Sequence, residues 1–138
     1  IAAMISAMTT YKVQLVILEP NKTLDTDEIN FVNLTKLKLT YPSVNRENES
    51  PEALIFEKDF RKKNKINPSV FAVRGFDITF DPMMRLSQGK KYQETVDFTA
   101  TEQIDNKFEY YKKEDGGYMN KGIYILYYDT DLTIKEAN

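Results

Sequence analysis

Two helix starts in tandem constrain this chain more than any other feature. Ser50-Pro51-Glu52 and Asn67-Pro68-Ser69 each put a capping side chain ahead of a proline. Such a residue accepts a bond from a free backbone N–H, and proline loses nothing at the first helical position. The spacing predicts a helix from Pro51 to about residue 65 and a second from Pro68. Ala53, Phe56 and Phe60 share one face of the first. Ala72, Phe76, Phe80 and Met83 share a face of the second, three and four residues apart. Phe60 and Phe76 are therefore expected in the core. Gly75 inside the second helix is expected to mark close backbone packing, or room for a ligand. Asp81-Pro82 is expected to kink or restart the helix, because Pro82 cannot donate to Ile78.

Strands are expected on either side. The run Leu15, Val16, Ile17, Leu18 predicts a strand over 12–18 buried on both faces, as in a parallel sheet. Asp25-Thr26-Asp27-Glu28 caps a short helix to about Leu34, and alternation predicts a strand over 37–41. Glu114-Asp115-Gly116-Gly117 is a turn, and Gly122–Tyr128 is the strongest strand in the chain. That strand is expected to pair antiparallel with 108–112, and a terminal strand covers 132–135. The fold class expected is α/β: a partial parallel sheet, flanking helices and a C-terminal antiparallel hairpin. The 138 residues suit a single domain.

Composition removes several chemistries. The chain has no Cys and no His, so disulfides, thiolate metal sites and histidine-dependent nucleophiles are absent. No enzyme activity, cofactor or metal is expected. Asp25, Asp27 and Glu28 lack the Gly and distal Glu of a calcium loop. A net charge of −2 argues against a nucleic-acid partner, and Arg61-Lys62-Lys63 reads as the cationic end of a helix. No stretch approaches the roughly 18 apolar residues of a membrane span. The late tyrosines, Tyr110 to Tyr128, read as cross-strand packing, with a sugar-stacking platform as the alternative. The opening Ile1–Met8 reads as the end of a helix begun upstream, so the chain is expected to belong to a longer protein. An exposed sheet edge would then favour a homodimer.

The order of these motifs resembles one family. Leu-Thr-Tyr-Pro-Ser (39–43), Phe56…Phe60, Asn-Pro-Ser (67–69), Arg-Gly-Phe-Asp (74–77) and Gly-Gly-Tyr-Met-Asn-Lys-Gly-Ile-Tyr-Ile-Leu-Tyr-Tyr-Asp (116–129) follow one another. Together they resemble the C-terminal lobe of type 1 periplasmic solute-binding proteins, the branched-chain amino-acid-binding class, and most closely cell-envelope members linked to LysM repeats. The resemblance implies a lobe of a two-lobed, non-catalytic binder in the periplasm or cell envelope. Its solute would be an amino acid, a peptide or a cell-wall fragment. It places Glu19, Asn21 and Lys22 at the cleft rim, with Tyr41 and Ser43 nearby, and Arg74 and Asp77 on the second helix. Glu19 loosely matches the carboxylate that holds a ligand ammonium group. Arg74 departs from amino-acid binders, where small or aromatic residues are common. The same polar positions also read as solvated connections and helix-face contacts. A structural or protein-interaction module that has lost small-ligand binding is the alternative function.

Overall fold

The computed structural model of the chain describes residues 2–7, 10–19, 30–46, 49–96 and 100–137. Those residues form a mixed α/β protein in two compact units, residues 1–43 with 124–138, and residues 44–123.

The first unit holds α1 (Ala2–Ser6), α2 (Phe31–Lys36), β1 (Thr40–Ser43), β6 (Tyr124–Tyr128) and β7 (Ile134–Glu136). The cap of α2 is Asn30, which accepts from the Val32 N–H at 2.9 Å; the expected caps at 25–28 lie outside the described residues. The sheet runs β1-β6-β7, and both pairings are antiparallel. The expected parallel sheet is thus corrected: parallel pairing survives as one isolated bridge, Val16 to Thr40. The run 15–18 is not buried on both faces either. Leu15 and Ile17 pack on the core, while Val16 is 61% and Leu18 88% exposed. Nothing described covers the second face, so alternation decides which side chains leave water. Leu34, Leu39 and Tyr128 form the core cluster, with Tyr41 and Ile134 against it.

The second unit opens with α3 (Pro51–Asn64) and α4 (Val70–Leu86), then α5 (Tyr92–Val96), β2 (Thr101–Glu102), β3 (Lys107–Phe108), β4 (Tyr110–Lys112) and β5 (Tyr118–Asn120). Ser50 caps α3 through Ala53. The cap of α4 is Ser69 rather than Asn67, accepting from Ala72. Pro82 does not restart the helix, because α4 runs through it unbroken. The C-terminal hairpin is also corrected. β4 pairs with β5 across the Gly116-Gly117 turn, while Tyr124–Tyr128 pairs with β1 and β7. Both glycines have positive φ, as the turn requires. Asn120 closes this region: its Oδ1 accepts from Glu109 and Gly122, and its Nδ2 donates to the Lys107 carbonyl. A Cβ at Gly122 would collide with that same carbonyl, so glycine is required there by close approach.

Candidate binding site

The site is organised by which face of α4 turns inward. Val73, Asp77, Asp81 and Arg85 recur every four residues and so share one stripe. All four are buried, the two carboxylates completely. A charge out of water is tolerated only when hydrogen-bonded, and each is. Asp77 Oδ1 accepts from the Ile104 N–H at 3.0 Å, and its Oδ2 accepts from Asp105 and Asn106 at 2.9 and 3.0 Å. Arg85 Nε donates to Asp81 Oδ2 at 2.8 Å. Its other nitrogens donate to the Thr95 carbonyl at 2.7 Å and to Thr101 Oγ1 at 2.8 Å. The Thr101 hydroxyl donates in turn to Asp81 Oδ1. Burial pushes the Asp77 carboxyl above its ordinary value, against the pull of the three N–H groups. Asp105 is pushed the same way, by burial and then by the neighbouring Asp77 charge.

This stripe fixes the segment 101–106, whose short strand leaves N–H groups that no ladder can satisfy. Once it is held, Glu102, Gln103 and Ile104 form one wall of a groove of about 700 Å³. The adjacent stripe of α4 supplies Phe76 and Phe80, and α3 supplies Glu52, Ile55, Phe56 and Asp59. Phe56 and Phe76 have ring centroids 4.7 Å apart, and Phe76 and Phe80 stack at 5.2 Å. These rings are not core, contrary to expectation. Phe60 and Phe76 are half-buried and Phe80 is 37% exposed. At the rim Arg46 pairs with Glu102 at 2.8 Å, and Lys107 approaches Glu102 at 3.6 Å. The arrangement can bind an apolar body and select for charge. A second cavity of about 370 Å³ is lined by Arg74, Ile78, Asn106 and Phe108.

The residues expected at the site scatter. Glu19 is exposed beyond the extended segment, and Asn21 and Lys22 lie outside the described residues. Tyr41 and Ser43 sit on β1 in the first unit. Tyr41 packs toward Tyr128, ring centroids 6.1 Å apart, and Ser43 faces Tyr124 across the sheet. Arg74 and Asp77 belong to the second unit, Arg74 at the smaller cavity and Asp77 in the buried stripe. Sequence reasoning missed Arg46, Glu52, Asp59 and Glu102 as groove residues. The spacing Glu52, Phe56, Asp59 on one helix face was the available signal. Close packing at Gly75 is not found either; nothing lies within 4 Å of where its Cβ would be.

Among the described residues no group of three or more acidic side chains could hold a metal ion, and no helix is long and apolar enough to cross a membrane. No family model, curated protein or solved structure matches the chain.

Proposed function

We propose that this chain is a non-catalytic solute-binding or sensing lobe of a periplasmic or cell-envelope protein, the role its sequence resemblance implies. One observation carries the binding part of this reading: the groove floored by Phe56, Phe76 and Phe80. Its volume falls in the range of about 300–1,000 Å³ used for small ligands, and its lining combines aromatic rings with polar side chains. A solute covering about 100 Å² of apolar floor would gain about 2.5 kcal/mol before its own ordering is charged. The absence of His and Cys from the whole sequence supports binding over nucleophilic chemistry. The finer fold reading, a type 1 periplasmic-binding-protein-like lobe, rests on the resemblance alone.

Calorimetry of the chain with amino acids, short peptides and muropeptide fragments tests the reading, with Phe80→Ser as the paired variant. Binding to one class, weakened about tenfold or more by the substitution, is the expected result. No binding to any of them, or binding indifferent to Phe80, would overturn it.

The interaction-module alternative is favoured by a different observation. Phe71 is 83%, Ile78 53% and Met83 61% exposed along α4. Runs of exposed apolar side chains mark protein contact surfaces. Light scattering showing dimers that Phe71→Ser dissolves would favour that reading.

A further inference from the structure

We infer that the groove selects an organic cation with an apolar body, an amine or quaternary ammonium carried on an aromatic or aliphatic group. This rests on the groove being the binding site. The lining carries three carboxylates, Glu52, Asp59 and Glu102, against one cation, Arg46. Arg46 is already engaged, because it pairs with Glu102. That leaves Glu52 and Asp59, both on α3 and both exposed. Seven residues separate them, two turns or about 10 Å of helix axis. Phe56 lies between them on the same face, so the helix presents carboxylate, ring, carboxylate in series.

The floor has the matching chemistry. Phe76 and Phe80 stack with 14° between their planes, and Phe80, 37% exposed, lines the groove beside Phe76. A ring face carries negative quadrupole density and attracts a cation within about 6 Å. An ammonium placed there would lie under the field of Asp59 or Glu52, while its apolar body covers Phe56 and Ile55. A carboxylate ligand would meet the same field as repulsion. Discrimination by charge therefore comes from both an attractive and a repulsive element.

The test uses the 138-residue chain and three probes of one shape: phenethylamine, 2-phenylethanol and 3-phenylpropionate. The expected order by calorimetry or amide chemical-shift titration is cation first, alcohol second, carboxylate last. The first step should be about tenfold, and it should shrink as salt is raised. Asp59→Asn should bring the amine down to the alcohol's affinity and leave the alcohol unchanged, and Glu52→Gln gives a second, independent variant. Equal binding of amine and alcohol, or indifference of the amine to both variants, would sink the cation inference while leaving the groove reading intact. Failure of all three probes would also sink the cation inference, while the groove reading falls only if the amino acids, peptides and muropeptide fragments fail to bind as well.

Discussion

The two units bury opposite kinds of side chain. In the first, Leu34 and Leu39 are 1% and 0% exposed, and none of the described charges is buried; Lys135 bridges Asp129 and Asp131 at the surface. In the second, α4 hides Asp77, Asp81 and Arg85 and leaves Phe76 and Phe80 at the surface of a groove. The difference follows from what each interior must satisfy. β6 has sheet partners on both sides, so its backbone needs nothing from side chains and alternation alone can fill the core. The segment 101–106 has only a two-residue strand, so the Asp77 carboxylate accepts from the N–H groups of Ile104, Asp105 and Asn106. A polar stripe that faces inward then turns the aromatic stripe toward solvent.

The largest effect should come from breaking the polar interior. Arg85→Met leaves the Asp81 carboxylate buried without its cation, a loss of about 3–5 kcal/mol. Leu39→Ala in the first unit should lose about 2–5 kcal/mol through transfer and cavity. Urea unfolding of both variants compares them directly. A change under about 1 kcal/mol for Arg85→Met would mean that the polar stripe is not holding the second unit.

The pH response should separate the regions next. Asp77 and Asp105 have folded values raised above the ordinary carboxylate value. The folded state then takes up protons first, so residues 101–106 should hold or gain stability as pH falls from neutral through the raised values. Asp131 is opposite. Bonds from Lys135 and Thr133 hold it down at about 2. Its contribution is present above the ordinary value of 3.8 and is lost as pH falls toward about 2. Thermal melts followed residue by residue by NMR would show this. Signals of 101–106 melting earlier at mildly acid pH would contradict the assignment.

The smallest effect belongs to Gly75. A Cβ there meets nothing within 4 Å. Gly75→Ala should therefore stabilise the second unit by about 0.5–1 kcal/mol, the helical preference of Ala over Gly. A lower melting temperature would show that the open space is occupied in solution.

Local signals carried α3 and α4 into view. Ser50 caps as expected, and Gly116-Gly117 turns as expected. The candidate groove was half legible: Phe56 and the pair Phe76 and Phe80 were recognised on apolar helix faces, but Phe60 and Phe76 were assigned to the core. Amphipathic reasoning assumes that the apolar stripe faces inward, and α4 also offers a stripe with Asp77, Asp81 and Arg85. Periodicity identifies both stripes and does not rank them. The ranking came from the backbone of 101–106, whose need for acceptors is set by where that segment lies.

What the sequence determined by itself is local: the helix start at 50–51, the glycine turn, a strand over 124–128, and the absence of histidine and thiol chemistry. What only the tertiary structure decided is partnership. It paired Tyr124–Tyr128 with β1 and β7 instead of with 108–112, and it reduced the parallel contact of 12–18 to one bridge. It also turned the carboxylate stripe of α4 inward. Caps, turns and alternation depend on neighbours a few residues away, whose chemistry is written in order along the chain. Pairing and facing depend on groups as far apart as Thr40 and Tyr127, and these are chosen by the free energy of satisfying every buried N–H and carbonyl at once.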